Sequence, residues 1–158
     1  AWTTEDVWHT AEASLHMTNG VITDSILVGL SHLNSGQYFG LDLETGNVLW
    51  RGNPRQAENA SILSVGENIV SLQDDAVLLI LEASRTGFSI KHQYDVAESA
   101  TWTQPTVSGN RIFIKDISNH LGYQLPPLDN PIKTGNHCRQ FFFSTMETQK
   151  ATNMLNFS

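Results

Sequence analysis

A single cysteine, Cys138, in 158 residues excludes an internal disulfide and any four-cysteine metal site. Cations are scarce as well: nine Lys and Arg stand against sixteen Asp and Glu, a formal net charge of −7. A surface so poor in positive charge does not compensate phosphates, so nucleic acid and anionic membrane are not expected partners. No apolar run approaches the ~18 residues that span a bilayer, and no transmembrane segment is expected. The opening AWTTEDVWHT has neither the basic nor the apolar region of a secretory signal. It begins on Ala1, as a processed product or a piece of a longer protein would. Before residue 125 no stretch sustains the i, i+3, i+4 spacing of an amphipathic helix.

Motifs that carry chemistry are equally sparse. There is no Gly-x-x-x-x-Gly-Lys-Ser/Thr loop, no Gly-x-Gly-x-x-Gly fingerprint and no Gly-x-Ser-x-Gly elbow. Asp42-Leu43-Glu44-Thr45-Gly46 has the wrong register for a calcium loop. The histidines (His9, His16, His32, His92, His120 and His137) are scattered, without a His-x-x-x-His pair. His137 and Cys138 are adjacent and point to different faces of an extended chain, so a zinc site there needs outside ligands. Asp74-Asp75 reads as a turn former, because Asp hydrogen-bonds locally in hairpins. No catalytic, cofactor-binding or metal-binding residue is assigned.

What the chain does contain is a repeat. The segments GVITDSILVGLS from Gly20, ASILSVGENIVSLQD from Ala60 and PTVSGNRIFIKD from Pro105 each hold a short apolar strand, a tight turn and a second strand. Their turns start at Asp24, Gly66 and Gly109, steps of 42 and 43 residues. Thr45-Gly46 recurs 41 residues later as Thr86-Gly87, and Trp8 precedes Trp50 by 42. Short runs rich in apolar and β-branched residues recur between these landmarks: Ile26 to Val28, Tyr38 to Leu41, Val48 to Trp50, Ile69 to Leu72 and Ala76 to Leu81. About four strands in every ~42 residues is the spacing of a propeller blade. The expected fold is all-β: a partial β-propeller of about three four-stranded antiparallel blades.

The phrase Gly40-x-Asp42-x-x-Thr45-Gly46-x-x-x-Trp50 resembles the tryptophan-docking motif of PQQ-like (pyrroloquinoline-quinone-type) β-propeller repeats, departing from it in Gly40, where alanine is usual. The next copy keeps Thr86-Gly87 but has Ala83 for the Asp and Lys91 for the Trp. GLSHLNSGQYFGLDLETGNVLW, NPRQAENASILS and TWTQPTVSGNRIFIKD are similar to bacterial propellers of the outer-membrane barrel-assembly type; the resemblance covers about residues 1–123. In structural terms Gly46 permits positive φ in a tight turn, Asp42 and Thr45 bond turn backbone, and Trp50 wedges between blades. Burying such a ring contributes about 2–3 kcal/mol.

The resemblance implies a binding or scaffolding module of a bacterial envelope, periplasmic or secreted, whose partner is another protein or the remaining blades. It also leaves open a fragment of a quinoprotein oxidoreductase using PQQ with calcium, or a propeller module associated with carbohydrate-active enzymes. Many quinoproteins stack the quinone on a disulfide of neighbouring cysteines, which Cys138 alone does not form. Loops at one rim of a rigid scaffold are where recognition residues gather. The candidates are His32, Asn34, Gln37, Arg55, Glu58, Asn59, Lys115 and Asp116. The alternative is that Arg55 and Glu58 pair with each other or cap turns.

The repeat region, 1–125, is one expected unit. From 126 to 158 the repeat fails, three prolines cluster, Phe141-Phe142-Phe143 forms an apolar knot, and an irregular tail or a short helix from about Ser144 to Leu155 is expected. Three blades are fewer than the roughly four to eight of a closed ring. Two open edges then invite further chain, and the stretch around Val7-Trp8 is expected to be the last strand of a preceding blade.

Overall fold

Asp24 and Ser25 both adopt positive φ, 46° and 59°. That two-residue geometry twists in the same sense as its flanking strands, and it joins β1 (Gly20–Thr23) to β2 (Ile26–Ser31) with Thr23 opposite Ile26. Glycines at positive φ, Gly66 and Gly109, take the equivalent turns one and two repeats later. The computed structural model describes residues 2–125. Cys138, Phe141 to Phe143 and the helix expected from Ser144 lie outside the described residues.

The remaining strands are β3 (Gln37–Asp42), β4 (Val48–Arg51), β5 (Ala60–Val65), β6 (Asn68–Gln73), β7 (Val77–Ser84), β8 (Gly87–Asp95), β9 (Thr106–Ser108), β10 (Arg111–Lys115) and β11 (His120–Gln124). They form antiparallel sheets in simple up-and-down order, β1-β2-β3-β4, β5-β6-β7-β8 and β9-β10-β11. These are three blades of a partial β-propeller, with four, four and three strands among the described residues.

The strands alternate sides, and the middle blade is apolar on both. Its Ile69, Leu79 and Leu81 pack against Ile26, Val28, Leu30 and Tyr38 of blade 1. Its Val70, Leu72, Leu78 and Ile80 pack against Ile112 and Ile114 of blade 3. A strand buried on both faces loses the apolar and polar alternation of a half-exposed one, which is why Val77 to Leu81 reads as a continuous apolar run. Within the first interface Tyr38 Oη meets Ser71 Oγ at 2.6 Å and accepts from Gln73 Nε2 at 3.3 Å. All three residues are buried, and burial raises the Tyr38 phenol above its ordinary value.

Two expectations are corrected. Val7-Trp8 is not a strand: residues 2–19 form no ladder. They cross the outer face of blade 1, where Leu15 and Phe39 close over Gly29 and the Thr18 hydroxyl donates to the Leu30 carbonyl at 2.8 Å. Phe39 and Leu41, on the side of the sheet away from blade 2, are buried. The Thr86-Gly87 copy also builds a different turn. Ser84 pairs directly with Gly87 across Arg85-Thr86, whereas the first copy loops out over Leu43 to Asn47 between β3 and β4. Without an Asp at position 83 to organise a wider loop, the hairpin closes tightly, and Lys91 in the Trp position pairs with Glu82 at 2.6 Å.

Candidate functional site

Up-and-down order divides the loops between two rims. The β1–β2 and β3–β4 turns of each blade leave one end of the strands. The β2–β3 turns and the connections to the next blade leave the other. Every one of the eight candidate recognition residues falls on the second rim, and the Asp42 to Trp50 and Thr86-Gly87 phrases meet at the first.

At the first rim Asp42 organises its own turn. Its Oδ1 accepts from the Glu44 and Thr45 amides at 3.0 and 2.9 Å and from the Thr45 hydroxyl at 3.0 Å. The other oxygen receives Arg85 from the β7–β8 hairpin of the next blade. That guanidinium first, then the Thr45 amide, hold the Asp42 carboxyl down to about 2, and Arg85 is raised in turn. Arg85 is the residue sequence reasoning passed over; its signal was its place beside Thr86-Gly87, 43 residues after Asp42.

Two tryptophans bridge units at this same rim. Trp50 Nε1 donates to the Ser84 carbonyl at 2.8 Å, and its ring stacks on Phe88 with centroids 5.2 Å apart. It lies over Gly40, where a Cβ would stand 2.2 Å from the indole. That contact explains the glycine in place of the expected alanine. The ring is only partly buried, not wedged out of solvent. Trp8 repeats the pattern one step earlier: its Nε1 donates to the Leu43 carbonyl at 2.7 Å, and its ring covers Gly46, which has φ 72°.

The second rim is framed by backbone. The Arg55 amide donates to the Asn34 carbonyl at 3.1 Å and the Gln56 amide to Gly36 at 3.0 Å, so the blade 1 turn and the connection to blade 2 run side by side. Asn34 and Arg55 both hold positive φ, 57° and 59°. Gly36 is obligatory there, with φ 90° and a would-be Cβ 1.7 Å from the Ala57 carbonyl oxygen. One repeat later Asp74 receives the Asn59 amide on its carboxylate at 3.1 Å, and its carbonyl accepts from the Thr101 amide at 3.1 Å.

The candidates sort by how far their side chains are committed. Gln37 is buried and donates to the Gly52 carbonyl at 2.7 Å. Lys115 donates to the carbonyls of Asp116 and Ile117. Asp116 is buried and receives the amides of Asn119 and Ser118; these hold its carboxyl down to about 2, Asn119 contributing most. Asn59 is half-buried and its Oδ1 has no hydrogen-bond partner. Asn34 is exposed and donates to Gln37 Oε1 at 2.9 Å. His32 is exposed, its ring 5.3 Å from that of His16. Arg55 and Glu58 are exposed and form no ion pair with each other.

Arg55 and Glu58 share an open cleft of about 410 Å³ with Ser35, Gln56, Asp74 and Asp75. It presents one guanidinium, three carboxylates, an amide and a hydroxyl on a rigid backbone frame, suited to a mixed-charge polar surface. Lys115 and Asp116 lie a blade away, outside the cleft. A second hollow of about 510 Å³ separates β5 from β9, lined by Leu63, Ser64 and Val65 against Pro105, Thr106 and Val107. Among the described residues no three His, Cys, Asp or Glu side chains gather as metal ligands, and no helix is long and apolar enough to cross a membrane.

Comparison with known proteins gives a likeness of fold. No protein-family model matches the chain, and no curated protein matches it either. Among solved structures, BamB from Moraxella catarrhalis superposes with a TM-score of 0.55 at 19% identity, over 67% of this chain and 32% of that one. The chain thus spans about a third of BamB's length. The computationally designed Ika4 protein has a TM-score of 0.46 at 10% identity, over 78% of this chain and 100% of its own.

Proposed function

We propose that this chain is a binding or scaffolding module of a bacterial cell envelope, part of a PQQ-like β-propeller that recognises a protein partner through its second rim. The observation that carries the reading is the separation of the rims. Blade-locking side chains occupy one end of the strands. At the other, His32, Arg55 and Glu58 stand exposed on a frame of backbone hydrogen bonds. A rigid scaffold with uncommitted polar side chains at its loop end is the arrangement recognition requires. Trp8 and Trp50 are read as the docking tryptophans of the repeat. The envelope setting is supported by resemblance in the repeat phrases to bacterial propellers of the outer-membrane barrel-assembly type, and the propeller fold by likeness to BamB.

Site-directed photocrosslinking tests it. A photoreactive residue at Arg55, Glu58 or His32 should capture a discrete protein partner in envelope preparations, while one at Asp24 or Asn110 on the opposite rim should not. Equal labelling from both rims overturns the reading. A quinone absorbance spectrum on titration with PQQ and calcium would replace it with the oxidoreductase alternative.

A further inference from the structure

Among the described residues, the two ends of the blade stack differ in chemistry. Strand register makes positions equivalent from blade to blade. Val28, Val70 and Phe113 stand opposite Gly40, Ile80 and Gly122; Leu30, Leu72 and Lys115 stand opposite Tyr38, Leu78 and His120. In blades 1 and 2 this face is aliphatic or aromatic and buried against the next blade. In blade 3 it carries Arg111, Lys115 and His120 around Phe113, whose ring lies over Gly122 and is 46% exposed. The other residues of that face, Thr106, Ser108 and Gln124, are uncharged, so it bears no carboxylate.

Chemistry of the opposite sign marks the other end. The segment laid over blade 1 exposes Glu5 and Asp6 between Trp2, fully exposed, and Val7, 80% exposed. We propose that the open face of blade 3 binds the N-terminal segment of a second copy of this chain, head to tail. Trp2 and Val7 cover Phe113, and Glu5 and Asp6 face Arg111 and Lys115. An aromatic anchor beside positive charge, met by an apolar pair with two carboxylates between its members, supplies both contact area and register. The two patches are different surfaces, so the contact is heterologous: each copy offers one donor face and one acceptor face.

Sedimentation of the full chain tests this. At low salt, about 0.05 M, the sedimentation coefficient should rise with concentration through the micromolar range, and about 0.5 M salt should suppress the rise because exposed charge pairs are screened. Phe113→Glu and Arg111→Glu at one end, and Val7→Asp at the other, should each weaken association about tenfold or more. All three side chains are exposed, and circular dichroism checks that each variant stays folded. Mixing Phe113→Glu with Val7→Asp leaves one intact donor face and one intact acceptor face, so the mixture should form a one-to-one dimer and stop there. A chain that stays monomeric throughout, or a mixture that does not dimerise, overturns the proposal.

Discussion

Replacing Trp50 by alanine should loosen the contact between blades 1 and 2, and its magnitude follows from the geometry. A fully buried ring would cost roughly 3–5 kcal/mol to remove. Trp50 is only partly buried, so about half of the ~200 Å² an indole can bury is at stake, about 2–2.5 kcal/mol at 25 cal/mol per Å². Stacking on Phe88 adds roughly 0.5–1 kcal/mol, while the Ser84 carbonyl, being exposed, regains water and returns most of its hydrogen bond. The expected loss is about 2.5–3.5 kcal/mol, read as a fall in the urea midpoint by far-UV circular dichroism. Trp50→Phe should keep most of the stacking and lose roughly 1 kcal/mol. In a double-mutant cycle Trp50→Ala and Phe88→Ala should couple by roughly 0.5–1.5 kcal/mol, because the rings share one contact. A loss below about 0.5 kcal/mol for Trp50→Ala would place the indole among incidental surface contacts and refute the bridging role.

Acid should weaken the fold through two carboxylates, Asp42 and Asp116, each held down to about 2, below the ordinary carboxylate range. Their folded-state pKa values are depressed, so their stabilisation is complete above the ordinary carboxylate range and is lost as pH falls from about 4 towards 2. Urea midpoints measured across that window should fall, and more shallowly in Asp42→Asn. Gly40→Ala places a Cβ 2.2 Å from the Trp50 indole and should cost about 1–3 kcal/mol by forcing the ring outward, visible as a red shift in tryptophan fluorescence. Tyr38→Phe should cost about 1–3 kcal/mol in urea denaturation, because Ser71 and Gln73 lose a buried partner; an unchanged midpoint would mean that water takes the place of the hydroxyl.

The blades were legible in the sequence because hairpin turns demand particular residues. Asp24-Ser25, Gly66 and Gly109 need positive φ, and their spacing exposed the period. The sharing of loops between two rims was legible too, since it follows from strand order alone. What escaped was chemistry between repeats. Arg85 reaches Asp42 across 43 residues, and no local pattern says that a hairpin's cation will find the previous blade's turn. Trp8 shows the converse. Its spacing from Trp50 pointed to an equivalent contact, which the structure contains, and to a strand, which it does not; a tryptophan can dock from an extended segment as well as from a ladder. Among rim candidates, Gln37 and Asp116 could not be separated from Arg55 and Glu58 by residue type, because burial decides whether a polar side chain builds a turn or faces a partner.

The division between rims has a thermodynamic consequence. Contacts that lock one blade to the next, Trp50 to Ser84 and Arg85 to Asp42, involve side chains projecting across the gap at the first rim. At the second rim the neighbouring segments are held mainly by backbone, Arg55 to Asn34, Gln56 to Gly36 and Thr101 to Asp74. Backbone bonds survive most side-chain substitutions, whereas a side-chain lock constrains the residue that makes it. The first rim is therefore narrow in the residues it tolerates, and Asp42, Thr45, Gly46 and Trp50 each make a contact there that another residue type would not. The second can change Arg55, Glu58 or His32 while keeping its loops in place. A surface free to vary on a frame that does not move is one on which partner specificity can be set without loss of the fold.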